Sequence, residues 1–254
     1  MTTPVLVACA HGTRSPEGRA TVRALAADIR ALRPGLPVVE AFVDVQEPAV
    51  GDAVRDALAT RPPDAAGTGA VVTPLLLSTG YHVRHDIGGA VTGLPAAAAA
   101  PLGPDERLVA ILLQRLDEAG ARPGDAVVVA AAGSSDPEAA RAAEVVTARV
   151  RATWQGPVTV GYGASAAPGV PDAVAAARAA GAARVVVASY LLAPGHFHSA
   201  LARAGADVVT RPLGPHPLLA RVALDRYDAQ VALCAVTEPD EPPAVACRRG
   251  AVIA

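Results

Sequence analysis

Two histidines and a carboxylate stand directly after apolar runs of β character in the first half of the chain. His11 follows VLVACA, Asp44 follows VVEAFV with Glu47 one turn further on, and His82 follows VVTPLLLSTGY. In an open parallel α/β sheet, residues just beyond the carboxyl ends of the strands converge on one rim, however far apart they lie in sequence. Two imidazoles and one oxygen donor suit a borderline divalent cation such as Fe²⁺, Co²⁺ or Ni²⁺ and leave coordination positions open. Near neutral pH an imidazole can also accept a proton. The plainer alternative is that these are rim histidines that cap helix ends or bond backbone carbonyls.

The elements that must place these residues are legible as an alternation of short apolar runs with Ala/Arg/Asp-rich helical stretches. Strands are predicted near 4–10, 37–43, 70–77 and 97–101, then near 125–131, 157–163, 184–190 and 206–211. Helices are predicted near 16–33, 48–60, 86–93 and 105–119, then near 137–153, 169–180, 197–204 and 216–234. Ser15-Pro16-Glu17 and Asp136-Pro137-Glu138 each supply an N-cap, a proline at the first helical position and an acid in the first turn. Runs such as VVTPLLL and VVVASYLL are apolar on both faces, as expected where helices cover both sides of a parallel sheet. The implied fold class is α/β: two similar lobes, each a roughly four-stranded parallel sheet flanked by helices, with a cleft between them.

The two lobes read as copies of one unit. VLVACAHGTRSPEGR is echoed by VVVAAAGSSDPEAAR, FVDVQEPAVGDAV by YGASAAPGVPDAV, VVTPLLLSTGYH by VVASYLLAPGHF, and PLGPDERL by PLGPHPLL. His11 falls opposite Ala132, and the alignment of Gly80 with Gly195 sets Phe197 opposite His82. One copy therefore carries the candidate ligands and the other does not. The expected division is a first lobe at 1–121 with the metal site, a degenerate second lobe at 122–235, and a Pro-rich disordered tail at 236–254.

Composition narrows the function classes. A chain of 254 residues with 52% hydrophobic residues can bury a large core, and a net charge of −2 gives no footprint for nucleic acid or an anionic membrane. Every basic side chain is Arg. Cys9, Cys234 and Cys247 form no disulfide framework, and neither a signal segment nor a membrane-length apolar run is seen, so a cytoplasmic location is expected. No phosphate-binding glycine loop or dinucleotide fingerprint appears. The expected partners exclude nucleic acid and membrane, and a fused chain can build its cleft as a monomer.

HGTRSPEG after the first strand, DVQEP after the second and PLLLSTGYHVRHDI after the third resemble the sirohydrochlorin chelatases, within the class II tetrapyrrole metal chelatases. The resemblance extends to about residue 235. It implies two chelatase-like lobes and insertion of a divalent metal, Fe²⁺ foremost, into sirohydrochlorin with release of two protons, leading to siroheme. Cobalt or nickel insertion into the same ring is the nearest alternative. It further implies no ATP and no cofactor beyond the substrate metal. By this resemblance His11 is metal ligand and base, His82 is the second catalytic ligand, and Asp44 stands where the family commonly carries Glu. Its shorter side chain leaves direct contact and a water bridge both open. Leu76, Leu77, Ser78, Thr79, Gly80 and Tyr81 are implied to line the macrocycle.

Sirohydrochlorin bears many carboxylates, so Arg14, Arg84 and His85 in the rim loops are candidate substrate contacts, with the alternative of solvated loop charges. His196 and His198, after the third strand of the second lobe, are candidates to close the cleft over the ring, to bind metal, or to serve structure. A histidine phosphatase would need Arg before His11, where Ala10 stands. A carrier of metal or tetrapyrrole without turnover remains the alternative from another class.

Overall fold

Parallel pairing starts from the most apolar segments of each half. In the computed structural model, which describes residues 3–60, 67–80 and 82–237 except for the side chains of His82 and Thr237, β1 (Val5–Ala10) lies between β2 (Val38–Phe42) and β3 (Ala70–Pro74), with β4 (Ala96–Ala98) outside β3. β5 (Ala126–Ala131), β6 (Val158–Tyr162), β7 (Val185–Tyr190) and β8 (Val208–Val209) repeat this arrangement, so the sheet orders are β2-β1-β3-β4 and β6-β5-β7-β8. Side chains alternate across each strand. Leu6, Ala8 and Ala10 enter one core, Val7 and Cys9 another, and both sets are buried.

Burial on both faces requires helices on both faces. α2 (Val50–Ala59) and a π-helical turn (His82–Ile87) leading into α3 (Gly88–Val91) cover the outer face of the first sheet. α6 (Val170–Ala179) and α7 (His196–Leu201) cover that of the second. The two inner faces share one core with α1 (Pro16–Leu32), α4 (Glu106–Glu118), α5 (Pro137–Thr153) and α8 (Pro217–Thr237) between them. The expected pair of four-stranded parallel sheets flanked by helices is what the chain forms.

Chain order and packing diverge at the end of each half. α4 follows β4 in sequence yet packs on β7 and α5, whereas α8 packs on α1, β3 and β4. The lobes thus exchange their last helices. Buried Arg115 of α4 donates from Nε to the Pro212 carbonyl and from Nη2 to those of Leu213 and Pro215, at 3.0–3.1 Å. Arg226 of α8 does the same in reverse, to Pro101 and Leu102 at 3.0 and 3.1 Å. Each guanidinium therefore satisfies the PLGP turn of the other copy. The glycine of each turn admits a different close approach from the other copy: a Cβ on Gly103 would lie 2.4 Å from the Tyr190 hydroxyl, and one on Gly214 would lie 2.8 Å from Thr21.

Other ties hold the exchanged helices. The Tyr227 hydroxyl donates to the Pro4 carbonyl at 2.6 Å, and Arg33 pairs with both oxygens of Asp228 at 2.5 and 2.6 Å. Glu118 accepts from Arg211, Gln114 and Arg115, which holds its carboxyl down at about 2.

Two details depart from the sequence reading. β3 ends at Pro74, short of the predicted 77, and the partner position in β7 is Ser189, where the strand continues to Tyr190. Proline has no N–H for the ladder. The released segment, Leu75–Gly80, turns towards the space between the lobes. α8 runs to Thr237, taking in the first two residues of the expected tail, and the rest of that tail lies outside the described residues. Among the described residues no helix is long and apolar enough to cross a membrane.

Arg115→Ala strands three inward-facing carbonyls and is expected to cost about 3 kcal/mol in urea unfolding. Arg226→Ala is expected to cost less, because its side chain is 25% exposed. Glu118 is ionised more easily in the folded chain than its ordinary value of 4.5 allows. Its contribution is therefore full above that value and is lost as pH falls towards about 2. Glu118→Gln should flatten the acid limb of a stability–pH curve in that window, with the two curves converging at its lower end.

Candidate functional site

The carboxyl ends of both sheets open onto one cleft of about 830 Å³ between the lobes. Its first-lobe wall carries His11, Gly12, Thr13, Arg14 and Ser15 from the β1–α1 loop and Leu75–Gly80 from the segment after β3. The opposing wall is the same pair of loops in the second copy, crossed over: Leu191–Gly195 meets the first group, where a Cβ on Gly195 would lie 3.5 Å from Thr13 Oγ1, and Ala132, Gly133, Ser134 and Ser135 meet the second, where a Cβ on Gly80 would lie 3.5 Å from Ser134 Oγ.

Backbone crossings hold these loops rigidly. Gly12 has φ +96°, and a Cβ there would lie 1.9 Å from the Asp44 carbonyl; Gly133 has φ +85°, with Ala164 in the same position at 1.8 Å. Only glycine fits such a crossing. The Asp44 N–H donates to the His11 carbonyl at 3.0 Å, so the first candidate ligand is clamped from behind by the β2–α2 loop. Thr13 adds a second anchor: its N–H donates to Gln46 Oε1 at 2.9 Å, and its hydroxyl accepts from Ser15 N–H. Ser15 then caps α1 through Gly18 N–H. In the second lobe Ser134 accepts from Asp136 N–H and Asp136 caps α5 through Glu138 N–H.

His11 is exposed on the cleft wall, with Nδ1 3.3 Å from the Gly12 carbonyl. Behind it, Cys9 is fully buried; burial, with the Asp86 carboxylate nearby, pushes its thiol up to about 12. It stays protonated and is no thiolate ligand. Arg14, Leu76, Leu77, Ser78, Thr79 and Gly80, the candidate substrate contacts, all line the cleft. The Tyr190 hydroxyl reaches across to the Leu77 carbonyl at 3.3 Å, and burial raises the pKa of that phenol, so it remains a donor.

Other candidates are placed differently. Asp44 is exposed and absent from the cleft wall; its Oδ1 accepts from Val45 N–H at 2.7 Å, and Val45 itself has φ +66°. Glu47 likewise turns back on its own loop, accepting from Ala49 N–H at 2.9 Å. Tyr81 lies outside the described residues. His82 opens the π-helical turn next to the cleft-lining Gly80 and Val83, but its side chain is outside them too. Among the described residues no three His, Cys, Asp or Glu side chains converge as a metal-binding group. Arg84 and His85 are exposed outside the wall, and Arg84 is paired with Asp136 of the second lobe at 3.0 Å.

Second-lobe histidines line the cleft with different roles. His196 is exposed and meets Phe197 edge-on, ring centroids 5.7 Å apart. His198 has Nε2 3.1 Å from the Thr210 carbonyl, a contact within its own lobe. The sequence reading missed Ser134, Ser135, Ser165, Tyr162 and Tyr190 as wall residues. The repeat itself was the available signal, since Ser134 stands opposite Thr13 and Tyr190 opposite Leu75.

Comparison with solved structures gives the same architecture. SirB from Bacillus subtilis with Fe³⁺ superposes with a TM-score of 0.78 at 19% identity, covering 93% of this chain and 98% of that one. The sirohydrochlorin chelatase SirB from Bacillus subtilis subspecies spizizenii in complex with cobalt gives 0.74 at 19%, with the same coverage of 93% and 98%. CbiX, the terminal enzyme for biosynthesis of siroheme in denitrifying bacteria, gives 0.63 at 23%, covering 89% and 98%. At these identities the likeness is one of fold. No curated protein matches the chain significantly. The CbiX family model matches twice, at residues 5–119 and 126–230, one match on each half of the repeat. With both copies matched and the cleft built between them, the chain belongs to the CbiX family, in a form that carries two lobes on one polypeptide.

Proposed function

We propose that the chain inserts a divalent metal, most readily Fe²⁺, into sirohydrochlorin and so supplies siroheme. The observation that carries this reading is the one-sided cleft: a rigidly backed imidazole, His11, on one wall and Ala132 at the equivalent place on the other. Family membership supports the reaction class, and relatives of the same fold hold Fe³⁺ and cobalt.

Replacing two pyrrole protons by M²⁺ releases two H⁺, so a base is needed beside the ring. His11 serves as that base and as a ligand that holds the incoming metal. His82, at the start of the neighbouring turn, supplies the second nitrogen. Imidazoles bind such cations less tightly than thiolates would, which lets the metal leave for the ring. Asp44, directed at its own loop, acts on the metal through water. Leu76–Gly80 press on the macrocycle from one side and Phe197 with His196 from the other. Such contacts can bend a pyrrole out of plane at about 1–5 kcal/mol, drawn from binding at the periphery. Arg14 and the first turn of α1 face the ring's carboxylates.

Mixing the protein anaerobically with excess sirohydrochlorin and Fe²⁺ should give many turnovers per chain, followed by the absorption change of the ring. A burst equal to the protein concentration that then stops would identify a carrier instead. Parallel assays with Co²⁺ and Ni²⁺ rank the metals by kcat/KM, and a clear preference for either would replace iron in this reading. His11→Ala should lower insertion by at least about 100-fold with an unchanged circular dichroism spectrum, because the side chain is exposed and its loop is held by backbone bonds. A variant that turns over normally removes His11 from the mechanism.

A further inference from the structure

Arg84 and Asp136 join the two lobes at the mouth of the cleft. Arg84 Nε lies 3.0 Å from Asp136 Oδ2, and the two side chains are 57% and 13% exposed. Asp136 is fixed from its other oxygen, since Oδ1 accepts from Glu138 N–H at 2.9 Å as the cap of α5. Arg84 belongs to the π-helical turn that His82 opens. The pair therefore ties the turn of the first-lobe site to a rigid point on the second lobe. In the pseudo-equivalent corner the corresponding positions are Ser199 and Ser15, and neither is charged. The charge pair is a feature of one corner alone.

We propose that Asp136 is a positioning residue that stands in for a substrate carboxylate: it keeps Arg84 at the mouth until a carboxylate of the incoming tetrapyrrole replaces it. This rests on the chelatase reading above. A carboxylate held by a helix cap is an internal copy of the group that the ring presents at its edge. Exchange of one carboxylate for another on the same guanidinium leaves the number of ion pairs unchanged, so a polycarboxylate ring opens the mouth at little cost. A ring without a carboxylate at that edge offers Arg84 no replacement and leaves the mouth tied. The device thus selects carboxylated rings at the point of admission.

The test is a double-mutant cycle on the full chain, measuring equilibrium binding of metal-free sirohydrochlorin at low and at raised ionic strength. Arg84→Gln should weaken binding. Asp136→Asn keeps a capping side chain on α5 and should tighten binding about two- to fivefold, the range of an exposed ion pair. In the Arg84→Gln background the same Asp136→Asn change should have no effect, and raised salt should shrink the tightening. A merely structural role for Asp136 predicts weaker binding, and a simple local repulsion predicts the same factor in both backgrounds; either result overturns the proposal. Asp136→Ser, which copies the cap at Ser15, repeats the measurement if Asp136→Asn melts early. Wild-type protein that binds no sirohydrochlorin overturns the chelatase reading as well, whereas wild-type binding without coupling in the cycle overturns this proposal alone.

Discussion

The reciprocal grip of Arg115 and Arg226 on the PLGP turns is the constraint from which the rest of the molecule follows. Each guanidinium leaves its own copy and answers carbonyls of the other. Carbonyls turned into a protein interior must be paired, and a planar cation with several donors can pair two or three at once. Once both are engaged, α4 and α8 lie on the partner's sheet, and the inner faces of both sheets drain into one core. The cleft then has a floor that neither half could build alone. Its width is set by four helices packed between the sheets rather than by flexible linkage.

Upon that frame the two walls are built alike and equipped differently. The Gly12–Asp44 and Gly133–Ala164 crossings are the same piece of backbone geometry, and the caps at Ser15 and Asp136 are the same device. What differs is the side chain displayed: imidazole against methyl where the first strands end, and Arg84 against Ser199 on the turns after the third. Chemistry at the cleft is consequently directional. The first-lobe side displays His11 and Arg14 beside Leu76–Gly80, and the second-lobe side displays Ser134 and Ser135 beside His196 and Phe197.

Much of this was open to reading in the residues themselves. The eight apolar runs and the helix caps predict two parallel sheets flanked by helices, and His11 and Leu76–Gly80 fall on the cleft because strand ends in such sheets point one way. The helix exchange was not readable. Both arginines follow identical PLGP turns at the same spacing, so local sequence is satisfied equally by the near turn and the far one. Only the packing of α4 on β7 and of α8 on β3 decides between them. The direction of Asp44 was hidden for a related reason. A carboxylate one bond shorter than glutamate reaches the N–H of the next residue, and a strand-end position says nothing about that local competition. The partner of Arg84 was hidden because it comes from the other copy, 52 positions away.

The short connection from Gly120 to Asp125 has a consequence for heredity. Two separate, identical subunits can alter a residue only in both places together, so a change that empties one mouth empties both. Once both units share a reading frame, each wall mutates on its own. Imidazole can be kept at His11 while its twin becomes Ala132, and a charge can be added at Asp136 while its twin stays Ser15. Covalent tethering is what permits an uneven vessel from an even mould.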